Sequence, residues 1–393
     1  MRKAGLVSID QDMKWAGGRY YLQHLVRCVA SLPEAERISL CSVSWAAPVG
    51  NDPFDEVRTL LGEHIVAAPL AGLIPRLVRK LKRLFLRTSG ARDLFDDTRI
   101  DVFFPIPPCD HSGTPYVFWL PDFQYLRRPD LMSGALCKAL ERYYLDHVYK
   151  ASRIVLSSVD AQNDFAKVYP DLMHLTHVVR FCSVPDDSWW TLKPADVAER
   201  YGLPEKFLIV CNQFTRHKNH LSLMRAIDVA VTAREVDVHL VCTGSTFDHR
   251  GEDYVGQVRS YLDARDLSNR VHILGLIPRA DQIALLRCAV AVVQPSCFEG
   301  WSTIIEDGKT LGKVILASDL PVHREQLGQD YPHYLPLDDE DAWPDAIAGV
   351  WANLHAGPKL CDEQEALARL ESAKADCGMA FVMALRAAGA EVT

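Results

Sequence analysis

The chain of 393 residues is 48% apolar and 24% charged, with 22 glycines and 22 prolines, which excludes a disordered, collagen-like or coiled-coil protein. Forty-three Lys and Arg against 51 Asp and Glu give a net charge of −8, which excludes a general nucleic-acid binder though not a local basic patch. The length exceeds one comfortable hydrophobic core, so two domains of about 200 residues each are expected. Eleven cysteines are scattered without CxxC spacing. They support neither a zinc ribbon nor a thioredoxin-type site and read as buried, reduced thiols of a cytosolic protein. The apolar stretch in MRKAGLVSIDQD is too short for a signal peptide, and no apolar window approaches the roughly eighteen residues of a membrane span. Any membrane contact is expected to be peripheral.

In chain order, the first apolar run is GLVSI (5–9), followed by the loop DQDMKWAGG. Asp10 and Asp12 form an Asp-x-Asp pair that could hold a divalent cation, although two such carboxylates are more often simply solvated, and no metal is expected. Gly17 and Gly18 precede a helix marked by Leu22, Leu25, Val26 and Val29 at i, i+3, i+4 and i+7. Such glycines either make a plain strand–helix turn or let backbone N–H groups approach a phosphate. After a strand at 37–43, residues 75–92 hold seven cations (Arg76, Arg79, Lys80, Lys82, Arg83, Arg87, Arg92) and no acid, with apolar residues from Ile74 to Phe85 at helical spacing. This stripe either lies on an anionic membrane surface or packs on the sheet with its cations solvated, the commoner fate. Further runs at 100–104, 116–120, 153–158 and 177–181 complete a first set of strands.

The segment 183–206 holds three prolines and no strand pattern, and strands resume at 207–211, 236–242, 270–274, 289–293 and 313–317. Nearly continuous apolar strands separated by amphipathic helices, such as that of Leu223, Ala226, Ile227 and Ala230, indicate parallel sheets buried on both faces. The expected fold class is therefore α/β, with two doubly wound Rossmann-like domains facing across a cleft. The domains are expected at 1–185 and 186–375, with a C-terminal helix at 376–393 returning to the first.

Two segments of the second half present chemistry. CNQFTRHKNH (211–220) follows a strand and opens a helix, placing Arg216, His217 and Lys218 where an anion is best stabilised. The alternative is a solvated basic turn, and His217 with His220 lack the third ligand that a metal would require. In CFEGWSTIIEDGKTLGK (297–313) a loop with Glu299, Gly300, Trp301, Ser302 and Thr303 opens a helix expected from Thr303 to Leu311, with Gly312 as its cap. Glu306 lies in the first turn, where it either favours the helix dipole or accepts hydrogen bonds from ligand hydroxyls.

The pattern FEGWSTIIEDGKTLGKVILASDLPVHRE resembles the nucleotide-sugar signature of glycosyltransferase family 4, retaining enzymes of the GT-B fold. Six residues separate Glu299 from Glu306, where the common form has seven. NQFTRHKNH is similar to the family's GRLxxxKG segment, with Lys218 on the diphosphate-clamping lysine, Gln213 where arginine is usual, and Arg216 as the second cation. Gly17 and Gly18 resemble the first-loop glycines. VFWLPDFQ resembles the acceptor-domain HD segment, with Asp122 on the aspartate, Pro121 in place of the histidine and Gln124 as a substitute contact. LSSVDAQNDF is similar to the strand-and-helix segment that follows.

The resemblance, spanning residues 5 to about 330, implies transfer of a sugar with retention from a nucleoside diphosphate to a saccharide or lipid-linked acceptor, without metal or cofactor. Glu299, Asp122 and Lys218 are then the catalytic candidates. Gly17, Gly18, Gln213, Arg216, Lys218, Gly300, Trp301, Ser302, Thr303 and Glu306 would bind the donor. Glu306 would hold the ribose hydroxyls and Glu299 those of the donor sugar, with Asp122 orienting the acceptor. The alternatives are a nucleotide-sugar epimerase of the same architecture and a non-catalytic membrane-surface scaffold with a decayed donor site. A dehydrogenase lacks its glycine fingerprint in either half.

Overall fold

The computed structural model describes residues 3–7, 16–44, 54–66, 100–107, 113–247 and 253–390. The Asp10/Asp12 pair and the basic stripe at 75–92 lie outside the described residues.

Two compact units divide the chain, Met1–Asp122 with Leu140–Phe181 and Ser372–Thr393, and Phe123–Ala139 with Cys182–Glu371. The first contains strands β1 (Lys3–Val7), β2 (Ser39–Ser44), β3 (His64–Val66) and β4 (Val102–Phe104), all parallel in the order β3-β2-β1-β4. A second parallel sheet has the order β5-β6-β7 (Val117–Leu120, Arg153–Leu156 and Thr176–Val178). A parallel bridge from Phe103 to Tyr116 joins the two.

Helix α1 (Ala16–Ser31) buries the apolar stripe read from its periodicity, since Leu22, Leu25, Val26 and Val29 are at most 2% exposed. Tyr21 on the same helix stacks on Trp119, ring centroids 3.9 Å apart. Gly17 and Gly18 stand inside the first turn of α1 rather than before it, where the amide groups are unpaired by the helix in any case. Helices α2 (Gly134–Val148) and α3 (Val159–Val168) follow; the Ser158 hydroxyl accepts from the Ala161 amide at 3.0 Å and caps α3.

The second unit is one parallel sheet of β8 (Leu208–Cys211), β9 (Leu240–Thr243), β10 (Val271–Gly275), β11 (Val292–Gln294), β12 (Ile315–Ser318) and β13 (Tyr334–Leu335). Its order, β10-β9-β8-β11-β12-β13, is that of a doubly wound nucleotide-binding sheet. The helices packed on it include α4 (Pro194–Arg200), α5 (His220–Thr232), α6 (Tyr254–Ala264), α7 (Arg279–Cys288), α8 (Thr303–Thr310), α9 (Pro321–Leu327) and α10 (Ala342–Asn353).

Alternate residues of each strand feed two cores. Leu208, Val210 and Val293 pack with residues of α5, α6 and α10, whereas Phe207, Ile209 and Val292 pack with residues of α4, α7 and α8. This explains the continuous apolar runs, because both faces of the pleat are covered. Gly312 follows α8 at φ 62° as expected, and Lys313 N–H closes onto the Gly308 carbonyl at 2.9 Å.

All eleven apolar runs form strands. The two further strands among the described residues, β3 and β13, have three and two residues, too few for a pattern to register. The boundary differs from the reading at 185/186: the contacts change at Phe181/Cys182, and Phe123–Ala139 groups with the second unit despite its position in the first half. The final helix, α11, begins at Leu360 and runs to Gly389 without a break. Its residues from Ser372 belong to the first unit, where Phe381 meets Phe104 edge-on at 4.8 Å.

Candidate functional site

Of the residues that the sequence singled out in the second half, Lys218 and Glu299 meet beyond the carboxyl ends of β8 and β11. Behind β8, residues Arg216–Lys218 form a single 3-10 turn, and Asn219 at φ 58° resets the chain for α5. Asparagine is among the few residues that adopt this left-handed conformation readily, so the KNH order places Lys218 at the turn's end. The Cys297 amide donates to the His217 carbonyl at 2.8 Å, tying the loop after β11 to this turn.

Lys218 Nζ thereby lies 2.6 Å from Glu299 Oε1, with the two side chains only 17% and 7% exposed. Arg216 is exposed, and Gln213, Gly300, Trp301 and Thr303 are partly buried.

A polar network absent from the motif reading surrounds this pair. Gln294, wholly buried at the end of β11, donates from Nε2 to Glu299 Oε1 (2.7 Å) and to the Ser302 hydroxyl (3.0 Å). Its own Oε1 accepts from Asn212 Nδ2 at 2.7 Å. Gly244 is what lets the loop after β9 rest on Asn212, since a Cβ there would stand 2.2 Å from the Asn212 carbonyl oxygen, and its φ of 132° disfavours any other residue.

Ser302 is less available than its place before α8 suggests. The Gln326 side chain accepts from its amide (3.1 Å) and donates to its carbonyl (3.0 Å). Glu306 is buried on the side of α8 facing α9, where its carboxylate accepts from Gln326 (2.9 Å) and Lys309 (3.1 Å). Burial raises its carboxyl pKa, opposed by Lys309 and Gln326. The next residue of α8, Asp307, receives both terminal nitrogens of Arg279 (2.8 and 2.6 Å) and the Ser183 hydroxyl at 2.6 Å.

Arg128, on the segment that groups with this unit, pairs with Asp130 at 2.7 Å and reaches the Cys297 thiol. Burial raises that thiol's pKa, and Arg128 opposes the shift. Asp122, Gly17 and Gly18 belong to the first unit, Asp122 two residues beyond the end of β5.

Two histidines are wholly buried in this unit. His220 stacks on Phe214 with centroids 4.2 Å apart, and both ring nitrogens lack a hydrogen-bond partner. It is a packing residue, and no metal-binding cluster occurs among the described residues. His323 on α9 donates from Nδ1 to the Ser318 carbonyl at 2.7 Å, and the Ser318 hydroxyl donates to the Ser296 carbonyl at 2.6 Å, bracing the loop that leads to Glu299.

Burial lowers both histidine pKa values, that of His220 from 6.5 to about 3 with Lys218 contributing. Because the folded value lies below the unfolded one, the unfolded chain takes up the extra protons. For His220, stability is therefore full above pH 6.5 and falls as pH drops toward about 3, by at most about 1.4 kcal/mol per pH unit, and His323 acts in the same direction. His220→Phe, which preserves the stack, is expected to flatten this acid limb in denaturant titrations between about pH 4 and 7. Parallel limbs for variant and wild type would contradict the assignment.

Residues 198–352 match the family model for glycosyl transferases group 1. No curated protein sequence matches the chain. Among solved structures, HepE of Anabaena in complex with UDP and glucose is 15% identical with a TM-score of 0.61, covering 100% of this chain and 97% of that one. Sucrose-phosphate synthase of Thermosynechococcus elongatus is 14% identical with a TM-score of 0.60, covering 99% and 95%. WaaG, a glycosyltransferase involved in lipopolysaccharide biosynthesis, is 12% identical with a TM-score of 0.58, covering 99% and 98%. At such identity the likeness is one of fold, and that fold is GT-B. No helix among the described residues is long and apolar enough to cross a membrane.

Proposed function

We propose that the chain is a retaining, metal-independent glycosyltransferase of family 4, moving a hexosyl group from a nucleoside-diphosphate sugar to an acceptor hydroxyl. The observation supporting this most is the Lys218–Glu299 pair at the ends of β8 and β11, inside the segment that matches the group 1 family model. A cation and a carboxylate held side by side suit a ligand that presents a phosphate and a hydroxyl together.

In the proposed reaction the bond from the anomeric carbon to the diphosphate oxygen breaks, and the acceptor oxygen bonds to the same face. The acceptor proton passes to the departing phosphate. Lys218 and Arg216 neutralise the charge that develops on the diphosphate, the term that fixed cations supply best in a partly dry site. Glu299 accepts from the donor sugar's hydroxyls.

Gln213, Gly300, Trp301 and the Thr303 end of α8 border the donor, and the family resemblance adds Gly17 and Gly18 as donor contacts and Asp122 as the residue that orients the acceptor. Glu306 reaches the ribose by exchanging the Gln326 amide that it holds in the free protein. Ser302 acts through its fixed position rather than through a free amide.

The part that WaaG plays in lipopolysaccharide biosynthesis supports a saccharide or glycolipid acceptor in cell-surface assembly. The cationic stripe at 75–92 would bring the enzyme to an anionic membrane on its cytoplasmic side.

The test is incubation with a panel of nucleotide sugars and saccharide or lipid-linked acceptors, read by NMR. The proposal expects release of nucleoside diphosphate that depends on acceptor, with the anomeric configuration kept in the product. An epimer formed from donor alone would assign the site to an epimerase, and a protein that binds no nucleotide would be a scaffold.

A further inference from the structure

Glu299 is held from one side only. Both of its hydrogen bonds, from Lys218 Nζ at 2.6 Å and Gln294 Nε2 at 2.7 Å, end on Oε1, and Oε2 makes none among the described residues. Gln294 cannot flip to relax this arrangement. Its Oε1 is occupied by Asn212 Nδ2, and a reversed amide would set an oxygen against the carboxylate. The amide is wholly buried, so its orientation is enforced by partners rather than by solvent.

Resting on the nucleotide-sugar reading of this site, we propose that Gln294, locked by Asn212, is the positioning residue that fixes donor specificity. By pinning Oε1 beside Lys218, it presents Oε2 to a sugar hydroxyl. Lys218 retains two N–H donors for the phosphate, because an ammonium has three and Glu299 takes one. The site thereby distinguishes an intact nucleotide sugar from the spent diphosphate through one oriented acceptor. Without Gln294 the carboxylate swings about Lys218, the phosphate contact survives, and the hydroxyl contact is lost.

The experiment is calorimetric titration of wild type and Gln294→Met with UDP against UDP-glucose, and with GDP against GDP-mannose. Methionine fills nearly the same volume and removes the donor. The expected result is diphosphate affinity within about twofold of wild type and sugar-nucleotide affinity about tenfold weaker (about 1.4 kcal/mol). Equal losses for both ligands, or no loss, would reduce Gln294 to a structural role and overturn the proposal. A wild type that binds diphosphates but gains nothing from a sugar overturns it too, while leaving the diphosphate site standing. A wild type that binds neither overturns the underlying reading as well. Should Gln294→Met fail to melt cooperatively, Asn212→Ala, which frees the same amide without touching Glu299, is expected to lower the same affinity ratio about threefold.

Discussion

Lys218→Ala is expected to reduce kcat/KM for transfer by about a hundred- to a thousandfold, the loss of a charge-assisted contact to a diphosphate that becomes more anionic as its bond breaks. Two effects add. The cation is removed, and Glu299, only 7% exposed, is left as an unneutralised carboxylate that repels the neighbouring phosphate. An unpaired, nearly buried charge also costs stability, on the order of a few kcal/mol. Glu299→Gln in the same chain separates the two effects. The double variant is expected to recover stability, because no isolated charge remains, but not turnover. Recovery of turnover would mean that Lys218 serves only to neutralise Glu299.

The second large effect concerns the fold beneath the site. Arg279→Ala is expected to destabilise the second unit by about 3–5 kcal/mol in urea titrations, leaving the Asp307 carboxylate without its guanidinium. Asp307 is 1% and Arg279 14% exposed, and the pair is bidentate, so water cannot replace the missing donors. Ser183 and Trp189 depend on the same pair, the first through its hydroxyl on Asp307 and the second under the Arg279 guanidinium. Replacing both partners by apolar residues, as Arg279→Met with Asp307→Leu, is expected to cost far less than either single change. A single variant as stable as wild type would show that the pair is not structural.

How far the sequence reached follows from which signals are local. Strands buried on both faces announce themselves as continuous apolar runs, which is why β8 to β12 were legible. The HKNH and EGWST segments were legible because Asn219 and the helix start make short-range geometry that residue type dictates. What holds them together was not legible. Gln294 at the end of β11, Asn212 after β8, and His323 with Gln326 on α9 come from three separate parts of the chain, and an isolated amide or imidazole looks like any other buried polar residue.

The same blindness applies to Glu306. Its spacing from Glu299 marks it as a site residue, but only the packing of α8 against α9 reveals that Gln326 and Lys309 already hold its carboxylate. Phe123–Ala139 grouped with the second unit for a like reason, since contacts far apart in the chain decide such membership.

The central claim, that the Lys218–Glu299 pair is a nucleotide-diphosphate cradle, is tested most directly by calorimetry. Nucleoside diphosphates are titrated into wild type and Lys218→Ala, each shown by thermal melting to be folded. The account predicts a base-selective, saturable heat in wild type and an affinity lowered by about ten- to a hundredfold in the variant. Identical isotherms for the two proteins would contradict it.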